Sequence, residues 1–434
     1  MDNGSVESAY PLTFRVAEAK LLGEHLRHRH SVDLVGMKRV GISNFLRYFL
    51  YHTHVKEQFI SQTETQLFIP VDLNDLVERE LYPFWTLTFK RLLDEVEKAG
   101  LKDSLKQKVA TLFLSSIQTK DLFLVIDGIR HSLSLLIGEN VLPTFFLLRF
   151  DRMKDVVTPE FFDNLQGLRD ATHGQLAFVF TSFRSLDVLS QDAFTKSDLS
   201  SSCHYMYIKP ASVSDMAIIA EQYKKRYQLN LSVKQEQELF ALMGGNVQYL
   251  QLALVVLNEH KGQGEEGKLF DLLAQDERIT FLSEELWESL TDSEKQAVKS
   301  VCLEVEESLQ IQKDAAYLLE TGIVQEGKGK LSVFNPLFAQ YVLTVASQAN
   351  QKEKEVVFSK KEHLLFTLLE EHVGQICERD DIIESVWPEY KEFGVSDWSI
   401  DRLVARVRSK LKKQASPFEI RTIRTRGYML TERG

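Results

Sequence analysis

Apolar residues recur along this chain at two spacings, and the two alternate over its first half. Ser31–Val35, Gln66–Leu73, Pro143–Phe150 and Leu176–Phe180 are short runs rich in Val, Ile, Leu and Phe, which predict buried strands. Between them, Phe45, Leu46, Phe49 and Leu50, then Tyr82–Ala99 and Pro159–Leu165, follow helical spacing. Asp121–Ile137 reads two ways. Its LFLVIDG is either a strand ending at Asp127 or part of a helix with Leu122, Val125, Ile126, Ile129 and Leu133 on one face. The helix is preferred, because PTFFLLRF then supplies the next strand. Strands alternating with helices predict an α/β domain over residues 1–205. A helical segment over 206–275 follows, apolar at Ala217, Ile218, Ile219, Leu239, Leu242 and Leu250.

Residues 276–348 predict a winged helix, with Leu290, Val298, Val301 and Leu303 in its helices and Ile323–Ser332 as its wing. Acidic side chains crowd it (Glu284, Glu285, Glu288, Asp292, Glu304, Glu306, Glu307), which disfavours DNA and favours internal packing. The polar stretch 349–357 reads as a linker. From Ser396 an amphipathic helix is predicted, N-capped by Ser396 or Asp397, with Ile400, Leu403, Val404, Val407 and Leu411 on its apolar face. After a break at Ala415-Ser416-Pro417, Ile420, Thr422 and Ile423 approach a turn at Arg426-Gly427, and Tyr428, Met429 and Leu430 leave it.

Charge changes the picture at this end. Ser396–Gly434 holds ten Lys/Arg against four Asp/Glu, in a chain of formal net charge -10. A basic helix followed by a basic hairpin offers one element to the major groove of DNA and another to the backbone or minor groove. Elsewhere the composition is that of a soluble globular protein. No apolar run reaches the roughly 18–20 residues of a membrane span, and MDNGSVESAY lacks the layout of a signal peptide. Cys203, Cys302 and Cys377 lie far apart, fitting a reducing cytoplasm rather than zinc or disulfides. HLRHRH, with His25, His28 and His30, predicts a polar helix end, since Arg27 and Arg29 interleave and no Cys or acidic ligand stands at matched spacing. No metal is expected.

Residues 358–434 resemble the C-terminal DNA-binding domain of OmpR/PhoB-type response regulators. FSKKE at Phe358–Glu362 resembles the opening of that domain, and Leu364, Leu365, Leu368 and Leu369 its first helix. Arg379–Trp387 resembles its positioning helix, Ser399–Leu411 its recognition helix, and Ile420–Tyr428 its wing. The resemblance implies that Trp398, Arg402 and Arg406 face the major groove, with Ser399 beside them. It implies that Arg408, Lys410, Arg424 and Arg426 contact phosphates or the minor groove, and that Tyr428 completes the surface. Trp398 stands where the family commonly has Arg, so target choice does not transfer.

Residues 10–348 resemble the STAND/AAA+ ATPases of the archaeal, Orc-like kind: a P-loop NTPase-like (RecA/AAA+-like) domain, a helical lid and a winged helix. Gly36-Met37-Lys38-Arg39-Val40-Gly41-Ile42-Ser43 matches the phosphate loop except that Ile42 replaces its lysine. FFLLRFDRM matches the Walker B segment, with Leu148 and Arg149 where two acidic residues belong, and Gly244–Leu250 and Phe334–Phe338 match motifs of the lid and winged helix. The glycines can still wrap an anion and Ser43 could face magnesium. Phosphoryl transfer depends on the missing charges, so a pseudo-ATPase without a cofactor is expected, ATP and ADP included, unless Lys38 or Arg39 replaces the lysine. The expected partners are double-stranded DNA and, through the ATPase-like module, a second copy or another protein.

Overall fold

The computed structural model describes residues 6–61, 63–260, 267–304, 316–327, 329–349, 358–387, 397–414, 416–423 and 426–432. They form two compact units, Met1–Ala346 and Ser347–Gly434.

In the first unit, the buried runs become parallel strands: β1 (Ser31–Gly36), β2 (Thr65–Asp72), β3 (Val141–Leu148), β4 (Ala177–Ser182) and β5 (Cys203–Ile208). Their order across the sheet is β2-β3-β4-β1-β5, every neighbouring pair parallel. Alternate residues serve different cores, as the period of a strand requires. Val32, Leu34, Phe146 and Val179 pack toward one core, while Ile69, Val71, Phe145, Leu147, Phe178 and Phe180 pack toward the other. This is a P-loop NTPase-like arrangement, and the segments that resemble the phosphate loop and Walker B lie at the ends of β1 and β3.

The ambiguous segment is a helix, Leu122–Gly138, started by the Asp121 carboxylate, which accepts the Leu124 N–H at 3.2 Å. Asp127 lies on that helix beside Arg130 and His131 and ends no strand. Among the elements that went unread are a long helix and an edge strand. Asp103–Gln118 is a further helix. β5 crosses the boundary expected at 205, so the sheet domain runs to Ile208. Its CHYMYI buries little, Tyr205 being 44% exposed, as suits an edge strand of mixed composition.

The lid comprises helices Val213–Tyr227, Val233–Met243 and Val247–Glu259. The winged helix follows with Asp292–Cys302, Ala316–Glu320, the antiparallel ribbon β6 (Val324–Gly327) and β7 (Lys330–Val333), and helix Pro336–Ala349. Glu306, Glu307 and wing residue Lys328 lie outside the described residues. The two motifs read from distant sequence meet here. Gly244 has φ 52°, and a Cβ on it would fall 1.8 Å from the Phe334 carbonyl oxygen. A glycine is therefore required on both conformational and steric grounds. Asn246 and Asn335 each cap the helix that follows, accepting N–H groups of Gln248 and Tyr249 and of Phe338.

The second unit contains helix Lys360–Glu371, the short β8 (Cys377–Glu378), helix Arg379–Val386, helix Asp397–Lys413, and the hairpin β9 (Phe418–Ile423) and β10 (Gly427–Glu432). The strands form one sheet in the order β8-β10-β9. All five residues of the predicted apolar face, Ile400, Leu403, Val404, Val407 and Leu411, are buried. The expected linker, save Ala349, and the candidate cap Ser396 lie outside the described residues.

Candidate nucleic-acid interface and phosphate-loop cleft

The helix Asp397–Lys413 joins the hairpin through specific side chains, and these decide which cations face outward. Arg408 donates through Nε to the Ile420 carbonyl and through Nη2 to the Thr422 hydroxyl, both at 2.8 Å. It is a strut between helix and β9, where a phosphate contact was expected. Lys410 pairs with Glu362, which is only 2% exposed and closes the N-terminal capping box of Lys360–Glu371. Tyr428, expected on the surface, is 2% exposed. Its hydroxyl donates to Asp401 and accepts from Arg379 at 3.2 Å, and Arg379 also pairs with Asp401 at 2.6 Å. Burial and the Asp401 carboxylate both hold the phenol protonated by raising its pKa.

Arg402 and Arg406 occupy the half-buried shoulder of the helix, and Lys412 and Arg426 are exposed. Burial pushes the Arg406 guanidinium down to about 10, which leaves it charged at neutral pH. Arg426 sits at the hairpin turn, its N–H donating to the Ile423 carbonyl at 3.1 Å. Trp398 and Ser399 belong to the helix, but their side chains, and all of Arg424, lie outside the described residues.

In the first unit, the phosphate loop runs from the end of β1 into helix Ile42–Tyr51. Arg39 (φ 66°) and Gly41 (φ 110°) make the tight turn. Apolar side chains fill it: Val40 and Met37 are buried, and Val40 and Ile42 both pack onto Gly36. Val247 of the lid closes onto Gly41, where an added Cβ would meet it at 2.5 Å. The Lys38 ammonium lies 4.9 Å over the Phe183 ring, and Arg39 pairs with Glu285 at 3.1 Å.

Leu148 and Arg149 sit at the end of β3, as the Walker B resemblance implied. Together with Ile42, Ser43, Asp72 and Thr181 they line a cleft of about 430 Å³. The Arg149 N–H donates to the Thr181 hydroxyl at 2.9 Å, and its guanidinium pairs with Asp72. The other carboxylates of the lining are matched as well. Asp75 and Asp94 both hold Arg91, at 2.8 and 3.0 Å, and Glu95 holds Lys98 at 2.6 Å. The cleft therefore presents ion pairs within its own wall, with Leu148, Arg149 and Ile42 at the positions where the resemblance had implied carboxylates and a lysine.

Of the acidic residues expected to favour internal packing, Glu285 is buried in an ion pair, whereas Glu288, Asp292 and Glu304 are exposed. Glu285 takes Arg39, and Glu294, absent from the acidic run singled out in the sequence, takes Arg184 through two bonds of 2.6 Å. That arginine follows β4, also donates to the Ser289 carbonyl at 2.8 Å, and stacks 3.6 Å from the Tyr317 ring. Burial opposes its charge and that of Glu294, but the mutual hydrogen bonds win: the carboxyl lies below its ordinary range and the guanidinium above.

Residues 353–430 match the family Trans_reg_C, described as transcriptional regulatory protein, C terminal. Among solved structures, similarity is found to a Walker-type ATPase of Pyrococcus abyssi, with 16% identity over 78% of this chain and 100% of that one and a TM-score of 0.49. The ORC2 protein of Aeropyrum pernix shares 12% identity over 81% and 98% of the two chains, with a TM-score of 0.47. The ORC1 protein of the same organism, solved in complex with DNA, shares 14% over 79% and 95%, with a TM-score of 0.38. A search of the curated proteins returns no match. Among the described residues no helix is long and apolar enough to cross a membrane.

Proposed function

We propose that this chain is a sequence-specific DNA-binding transcription regulator of the cytoplasm, built on an ATPase-like unit that does not hydrolyse ATP. The observation that carries the first half is the coincidence, within residues 353–430, of the family match and the basic helix-and-hairpin. In this account Arg402 and Arg406 enter the major groove from the shoulder of Asp397–Lys413, and Lys412 and Arg426 hold phosphates. Arg408 and Tyr428 set the angle between helix and hairpin, and Lys410 ties the helix to Lys360–Glu371. The second half rests on the cleft, whose carboxylates are already ion-paired and whose loop interior is apolar. The unit then serves to assemble copies of the chain or to hold a partner protein.

A second function is favoured by one feature. Two cations of the basic helix, Arg408 and Lys410, are turned inward, which suits a scaffold whose winged helix docks on protein. A nucleotide-driven switch fits less well, since Lys38 and Arg39 lie against Phe183 and Glu285. Selection from random genomic fragments, run with and without ATP and magnesium, distinguishes the three. Enrichment of particular sequences, unchanged by nucleotide, is the expected result. No retained DNA would favour the scaffold, and nucleotide-dependent enrichment the switch.

A further inference from the structure

The first unit brings together three imidazoles that the sequence keeps far apart. His25 lies in the last turn of helix Val16–Arg27, His30 just before β1, and His204 on the edge strand β5. One ring nitrogen from each falls within 4.8 Å of those of the other two. His25 Nδ1 and His30 Nδ1 are 3.5 Å apart, long for a hydrogen bond but close to the roughly 3.3 Å edge of a tetrahedron of imidazole nitrogens at 2.0–2.1 Å from zinc. The His30 and His204 rings stack at 4.4 Å, and His25 and His204 stand at 4.8 Å.

The interleaved arginines that made HLRHRH look unsuited to a metal are turned elsewhere. Arg27 donates to the carbonyls of Ile60 and Phe59, at 2.9 and 3.1 Å. Arg29, in the left-handed region at φ 57°, donates to the carbonyls of Pro143 and Gln175. These anchors fix the turn against the starts of β3 and β4 and leave His25 and His30 on the side where β5 passes. One charge of each sign, Glu24 and Arg169, acts on the cluster.

We propose that His25, His30 and His204 form a binding site for a divalent transition-metal ion of the zinc type. The donor set is all nitrogen, which selects zinc, nickel or copper over magnesium and calcium. His204 is exposed, so its ring has room to close the remaining distance, and a fourth position stays open to water. A bound ion ties the edge strand β5, which leads into the lid, to the helix and turn before β1. The site therefore couples metal supply to the stability of the ATPase-like unit.

The test is calorimetric titration of the metal-stripped full-length chain with Zn²⁺, with thermal melting alongside. One ion per chain at micromolar or tighter affinity is expected, together with a raised melting temperature. His204→Ala, on an exposed side chain, and His30→Ala should each weaken binding at least tenfold, whereas His54→Ala, in an exposed pair with Glu57 elsewhere, should not. Circular dichroism of the apo variants checks that they fold. Absence of micromolar binding overturns the proposal, as does binding that survives His204→Ala or responds equally to Mg²⁺.

Discussion

Glu294→Ala should destabilise the first unit by about 3–5 kcal/mol, the usual penalty for leaving a buried charge without its partner. The Arg184–Glu294 pair is 9% and 6% exposed and bonded through both nitrogens. Removing the carboxylate strands a guanidinium between Tyr317 and the Ser289 carbonyl, and it opens the capping box in which Glu294 accepts the Thr291 N–H at 2.8 Å. Urea unfolding of the full-length chain measures the cost. Glu304→Ala serves as the control, because its pair with Lys330 is solvent-exposed and such pairs contribute little. If both substitutions shift the midpoint equally, the two subdomains are not held by this buried pair.

The second large effect concerns DNA. Arg402→Ala and Arg406→Ala should each weaken binding to the selected sequence by about 1–3 kcal/mol, roughly five- to 150-fold, and relax its preference at one or two base pairs. Arg406 is partly buried before any DNA arrives, so less ordering and dehydration remains to oppose its contact. Arg408→Ala should behave differently. It breaks the bonds to Ile420 and Thr422, lowering the melting temperature of the second unit as well as affinity. Fluorescence anisotropy on selected and scrambled duplexes separates these cases. An equal loss on every sequence would make Arg402 and Arg406 phosphate clamps rather than base readers.

Much of the fold is legible in the sequence because it follows from local periodicity. The four buried runs and the apolar stripe of Asp397–Lys413 needed only residue spacing, the helix Leu122–Gly138 also needed the strand that follows it, and the glycines of Gly244-Gly245 needed only a motif. β5 was missed because an edge strand needs no continuous apolar run, and CHYMYI has none. The site was read less completely. Whether a basic residue faces DNA or its own domain depends on what packs across from it, and periodicity is silent on that. Arg408 and Lys410 look like surface cations until β9 and Glu362 are placed beside them. Arg149 and Asp72 lie 77 positions apart, and Arg184 and Glu294 lie 110 apart. The helix-end reading of HLRHRH failed to anticipate His204 for the same reason, since only the sheet brings β5 beside β1.

The central claim is that a basic winged helix gives this acidic chain its affinity for DNA. Its most direct test is the affinity of the full-length protein and of residues 347–434 for duplex DNA, measured from low to high salt. With Lys412 and Arg426 holding phosphates, log K should fall against log salt with a slope of about −2 or steeper. Both chains should show that slope, with the full-length protein preferring particular fragments. A flat salt dependence, or no binding by either chain at low salt, would contradict the claim and leave the winged helix as a surface for protein.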